Sequence, residues 1–123
     1  MIIAVWIASG LLALANLGAG FFKLSRSKEA LASSQPWTVG FSAPVIKLIG
    51  TAEVLAAIGL VVPPLTGIVP ILAPLAAVGV VILQLGAIVT HLRIGERMIV
   101  PNVVILLLAL FVALARFGVF GAL

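Results

Sequence analysis

Glu53 lies within TAEVLAAIGLVV, part of an apolar run long enough to span a bilayer. An acidic side chain at the centre of such a helix costs upward of about 2.5 kcal/mol. A sequence tolerates that cost only where the carboxyl is paired, protonated or turned toward a cavity. Asn16 and Gln84 sit in similar apolar runs, and Lys23, Lys47, His91 and Asn102 lie nearer the ends of theirs. Carboxyl, amine, imidazole and carboxamide groups together can hold the polar head of a small molecule and move its protons. Other chemistry is excluded. The chain has no Asp, so no Ser-His-Asp set exists. It has no Cys, which removes disulfides, thiol redox chemistry, iron–sulfur clusters and cysteine-bound zinc. The single His91 rules out bis-histidine haem within one chain. A metal site would need Glu53, His91 and Glu96 together, and Glu53 is too deep, so no metal is expected. No glycine-rich phosphate loop or dinucleotide fingerprint follows a strand.

The elements that position these residues follow from hydropathy. The 123 residues are 64% hydrophobic and 8% charged, with a mean hydropathy of +1.44. Ten charges cannot cover a water-facing surface, since soluble domains are about a quarter charged. The fold class is therefore all-α, an integral membrane four-helix bundle, in one transmembrane domain over residues 1–123. Helices are expected at about 2–24, 44–62, 67–91 and 100–120, each near the ~20 residues that span hydrocarbon. Period-two alternation is absent, which argues against barrel strands. Ile2 to Leu14 imitates a signal-peptide core, but no Lys or Arg precedes it, and a retained helix is the better reading.

Three breaks separate the helices. Ser25 to Ala43 is the longest; Lys28 to Ser34 suits a short interfacial helix, and Trp37 suits the headgroup level. Pro63-Pro64-Leu65-Thr66-Gly67 reads as a tight turn, and Pro74 as a kink or as the true start of the third helix. The net charge of +4 comes from Lys and Arg beside apolar segments, which is a topology signal and not a nucleic-acid one. Loops one and three carry those charges and loop two carries none. The positive-inside rule then puts loops one and three in the cytoplasm and both termini outside.

Depth counting gathers the polar residues. From the charged-loop ends of their helices, Asn16, Glu53 and Gln84 lie ~12, ~13 and ~10 Å deep at 1.5 Å per residue. Lys23, Lys47, His91 and Asn102 form a shallower layer, and the opposite half holds almost no polar side chain before Thr66 and Arg116. Asn16, Gly20 and Lys23 share one helix face, as do Gln84, Ile88 and His91. Gly50, one turn above Glu53, is expected at a close helix contact or at a pocket wall. Asn16-Leu-Gly-Ala, followed by Lys23, also aligns with Gln84-Leu-Gly-Ala, followed by His91. Two antiparallel hairpins related by a pseudo-repeat would explain this as well as coincidence does. Lys47 lies about 120° around the helix from Glu53 and ~9 Å along it, so the two are not expected to touch. Lys23 and His91 span only part of the distance. Glu53 is therefore expected to donate a hydrogen bond to Asn16, Gln84 or a ligand.

GAGFFKL (18–24), PVIKLIGTAEVLAAIGLVVPPLTGI (44–68), GAIVTHLRIGE (86–96) and VPNVVILLLALFVALARF (100–117) resemble the DoxX-like family of small four-helix membrane proteins. The pattern of Pro44, Lys47, Gly50 and Glu53 is the most specific part. The resemblance implies a multi-pass protein of the bacterial plasma membrane. Relatives include a subunit of a thiosulfate:quinone oxidoreductase and partners in membrane complexes that resist oxidants. The lack of Cys argues against direct sulfur chemistry here. Three functions compete. The first is a redox-associated subunit that binds a quinone or similar lipophile on the cytoplasmic side, with Asn16, Lys23, Lys47, Glu53, Gln84, His91 and Asn102 as ligand-binding candidates. It would have no intrinsic cofactor and no catalytic activity as an isolated chain, and would need a cytoplasmic-side or membrane redox partner. The second is a non-catalytic scaffold or assembly factor. The third is a small transporter, working as a homo-oligomer. Membrane lipid is a partner in each, and nucleic acid in none.

Overall fold

A computed structural model describes all residues, 1–123. The chain is wholly helical: α1 (Ile2–Ser25), α2 (Lys28–Ser34), a 3-10 turn (Pro36–Gly40), α3 (Ala43–Thr66), α4 (Leu72–Arg93) and α5 (Val100–Arg116). Three of them, α1, α3 and α4, are long and apolar enough to cross a membrane. The fourth apolar helix is shorter than its sequence suggests, because α5 stops at Arg116 instead of continuing to Phe120. Gly118 adopts φ 85, a left-handed conformation that ends the helix.

The packing is a ring. α1 lies against α3 and α5, α3 against α4, and α4 against α5. The shared core is built of small residues and a few aliphatics, among them Ala8, Leu12, Ala56, Leu60, Ala77, Val80, Ala109 and Val112. Lipid tails are as apolar as Leu, so burying large side chains between helices gains little in a membrane, and small residues win by letting backbones approach. Large side chains such as Ile3, Phe21, Leu48, Leu55 and Ile82 point outward. That outer surface suits lipid.

The closest approach is between α1 and α3. An added Cβ at Gly20 would lie 2.6 Å from the Gly50 carbonyl oxygen, and one at Gly50 would lie 3.0 Å from Cβ of Lys23. Gly50 therefore sits at the close helix contact its position suggests. Lys47 fastens the same pair of helices. Its ammonium donates to the carbonyl oxygens of Lys23 (2.6 Å), Leu24 (3.3 Å) and Arg26, the unpartnered acceptors at the end of α1. At the far end, the Arg116 guanidinium lies 4.9 Å from the Trp6 ring centroid and ties α5 to α1. Ser9, which the depth count passed over, is buried in that otherwise apolar half.

The breaks differ in detail from their sequence reading. The prolines Pro63 and Pro64 do not turn the chain; α3 runs through them to Thr66 and ends at Gly67, φ 72. The N–H of Gly67 donates to the Pro63 carbonyl (2.9 Å), and the Thr66 hydroxyl to that of Val62 (2.8 Å). These bonds close the last turn of α3; the carbonyls that the prolines leave without a helical donor are those of Gly59 and Leu60, one turn earlier. α4 starts at Leu72, so Pro74 falls in its first turn, where a missing N–H costs nothing. The short helix over Lys28–Ser34 forms as expected, with the Ser27 hydroxyl accepting from the Ala30 N–H (3.2 Å).

Candidate functional site

A cavity of about 510 Å³ opens between the helices at the end of the ring where α1 gives way to α2 and α4 to the loop before α5. Each surrounding element contributes. α1 brings Lys23, α3 brings Glu53, α4 brings Gln84 and His91, and α5 brings Asn102. Gln35, Trp37 and Phe41 cover it from the 3-10 turn and its flanks. Apolar side chains such as Ile49, Leu83 and Ile105 complete the wall.

The polar groups come in pairs. Lys23 Nζ lies 2.8 Å from Glu53 Oε1, and the two side chains are only 10% and 8% exposed. A buried charge is tolerated when matched at this distance, and removing one partner leaves the other stranded. Asn102 Nδ2 donates to Gln84 Oε1 at 3.0 Å, joining the two carboxamides across the α4–α5 contact. His91 Nδ1 contacts Glu96 Oε2, where the chain turns back after α4. Trp37 Nε1 donates to Gln35 Oε1 (3.1 Å), its ring meets Phe41 edge-on at 5.6 Å, and Lys23 Nζ lies 5.7 Å from its centroid. No three His, Asp or Glu side chains converge as a metal-ligand group.

Five of the seven residues singled out by sequence line the cavity: Lys23, Glu53, Gln84, His91 and Asn102. Asn16 does not. It is buried, but its Nδ2 donates back to the Leu12 carbonyl (2.8 Å) within its own helix. Lys47 does not either, being occupied at the end of α1. The partner of Glu53 is also corrected: it is Lys23, not Asn16 or Gln84. Depth counting assumed that the charged-loop ends of all helices are level. The crossing at Gly20 and Gly50 shows that they are not, because Gly50 lies beside Lys23 and Leu24. Glu53 is thus about one turn from Lys23 along the bundle, within reach of a lysine stem. Lys47 and Glu53 make no ion pair, as their helical phase requires.

Sequence reasoning missed Gln35, Phe41 and Thr90 as wall residues, and took Trp37 for an interfacial anchor. Their only signal was the length of the break after α1 and its Gln35-Pro36-Trp37 punctuation. Of the positions aligned in the internal repeat, Lys23 and His91 both line the cavity, whereas Gln84 does and Asn16 does not.

A family model described as the DoxX-like family matches residues 7–114. The match covers most of the chain, and the protein belongs to the DoxX-like family, as its motifs suggest. No curated protein and no solved structure matches it.

Proposed function

We propose that this DoxX-like membrane protein binds a lipophilic small molecule with a polar head, a quinone or a close analogue, in the cavity around Lys23 and Glu53. The observation that carries the reading is the cavity itself. Polar side chains of four helices converge on a mostly apolar space of about 510 Å³ at one end of a membrane-spanning ring. A packing role alone needs the Lys23–Glu53 and Gln84–Asn102 pairs but no space between them. Lys23 and Asn102 supply hydrogen-bond donors for a carbonyl oxygen, and the aromatic face of Trp37 suits a flat ring.

In this reading the chain is a single antiparallel four-helix unit, with loops one and three in the cytoplasm and the cavity mouth on that side. It has no electron carrier of its own, so it serves a redox complex as an accessory subunit. The partner docks at the charged loops, where Arg26, Lys28, Arg93 and Arg97 lie. The purified protein in nanodiscs tests the binding step. Trp6→Phe leaves Trp37 as the sole indole, and ubiquinone-1 is expected to quench it saturably. Ala87→Phe, which fills the cavity from α4 without replacing a polar side chain, is expected to abolish saturation. Quenching that rises linearly in both variants means only partition into lipid, and favours the scaffold reading.

A further inference from the structure

Beside the ligand cavity lies a second chamber of about 560 Å³, formed by the 3-10 turn and the end of α4. The two share Trp37, Phe41 and Thr90, so this trio forms the partition between them. His91 faces the inner cavity and not the outer chamber; Glu96 faces the outer chamber and not the inner cavity. Their side chains nevertheless touch, Nδ1 to carboxylate. The contact therefore crosses the partition. It is the one acid–base side-chain contact besides Lys23–Glu53.

The geometry points to His91 as the proton acceptor of the inner cavity, oriented by Glu96, and to a ligand class that uses it: lipophiles bearing an ionisable hydroxyl. The inference rests on the cavity being a ligand site. A carboxylate on Nδ1 fixes the proton there and leaves Nε2 as the basic nitrogen serving the cavity. A bound phenol then gives its O–H proton to Nε2; the O–H bond breaks, an N–H bond forms, and the phenolate charge is met by the Lys23 ammonium. The imidazolium keeps its Nδ1 proton against the Glu96 carboxylate, which stabilises the new positive charge. The charged and titratable groups facing these two spaces are few. Lys23 comes from α1, Glu53 from α3, Arg93 from α4 itself and Glu96 from the following loop, while α5 and the 3-10 turn bring none.

The sign of the Glu96 effect separates this from simple electrostatics. Glu96 is an anion near the forming phenolate, so as a mere charge it opposes ionisation, and Glu96→Gln would lower the pH at which the ligand ionises. As the group that supports the His91 imidazolium, it promotes ionisation, and Glu96→Gln raises that pH. The full-length protein in nanodiscs is titrated with 4-hexyl-2-nitrophenol, whose absorbance distinguishes phenol from phenolate. Glu96→Gln is expected to raise the ionisation midpoint of the bound probe by about one pH unit, tenfold in proton affinity. Its affinity for ubiquinone-1, which has no ionisable hydroxyl, is expected to stay unchanged. His91→Asn should raise the midpoint at least as far, and adding Glu96→Gln to it should not raise it further. An unchanged or lowered midpoint in Glu96→Gln overturns the inference and leaves the ligand site standing. Failure of the parent protein to bind either probe overturns both.

Discussion

Gly20→Ala tests the crossing on which the whole site depends. An added methyl at Gly20 would lie 2.6 Å from the Gly50 carbonyl oxygen, 2.8 Å from Cγ2 of Val54 and 3.1 Å from the Val54 nitrogen. The Val54 methyl can move aside, but the Gly50 carbonyl belongs to the helix backbone. An ordinary carbon–oxygen contact is about 3.3 Å or more, so α1 and α3 must part by roughly 0.7 Å. Overpacking of this kind costs about 1–3 kcal/mol. The helix-propensity gain of about 1 kcal/mol for Gly to Ala opposes it. Gly18→Ala is the control, because nothing lies within 4 Å of its added methyl. Both variants gain the propensity, so their difference isolates the crossing at about 1–3 kcal/mol. Denaturation by SDS in mixed micelles, followed through helicity and Trp emission, reads that difference. The same parting would stretch the Lys23–Glu53 contact from 2.8 Å to about 3.5 Å, beyond good hydrogen-bond length. Gly20→Ala should therefore weaken ubiquinone-1 binding as well, which Gly18→Ala should leave intact. Equal stability of the two variants would refute the close approach, and with it the register that brings Lys23 to Glu53.

Glu53→Leu leaves the buried Lys23 ammonium unpaired and should destabilise by about 3–5 kcal/mol, while Lys23→Leu with Glu53→Leu should recover most of that loss; expression and SDS midpoints read both. A Glu53 bonded only to carboxamides would instead tolerate Leu, so a stable Glu53→Leu single variant counts against the ion pair. Lys47→Met removes the cap on the last carbonyls of α1 and should cost about 1.5–3 kcal/mol, with hydrogen exchange rising at Ser25 to Ser27 first. The chain has no Cys, so single substitutions report topology cleanly: Thr66→Cys should react with an impermeant maleimide in intact cells and Arg26→Cys should not. The reverse pattern reverses the orientation.

The apolar runs announce the long helices, since only a helix satisfies its own backbone in lipid. A carboxylate within one of them announces that something must answer it. Which group answers was not legible, because helix register is a tertiary quantity. Counting from the loops gives depth only if helices begin level, and the offset between α1 and α3 is fixed by how Gly20 and Gly50 pack, not by where either helix starts. Once that offset is known, the polar pattern becomes coherent. Lys47, on the same helix as Glu53, goes to the end of α1 instead. Lys23 is carried to the depth of the acid. The cavity-lining place of Trp37 was not legible for a related reason. An indole in a loop between spanning helices satisfies the interfacial rule whether it faces headgroups or folds back over the bundle, and the rule carries no direction. The 3-10 turn supplies the direction, because Pro36–Gly40 is too short to leave the mouth of the ring and Trp37 bonds to Gln35 at its edge. The prolines of α3 show the same limit from the other side. Pro63 and Pro64 remove two backbone donors and free the Gly59 and Leu60 carbonyls, yet proline's φ is compatible with a helix, and α3 continues until Gly67 closes its last turn. Composition determines which groups must find partners; packing offsets between helices determine which partners they find. The cavity is lined by two such pairs, Lys23–Glu53 across the α1–α3 contact and Gln84–Asn102 across the α4–α5 contact.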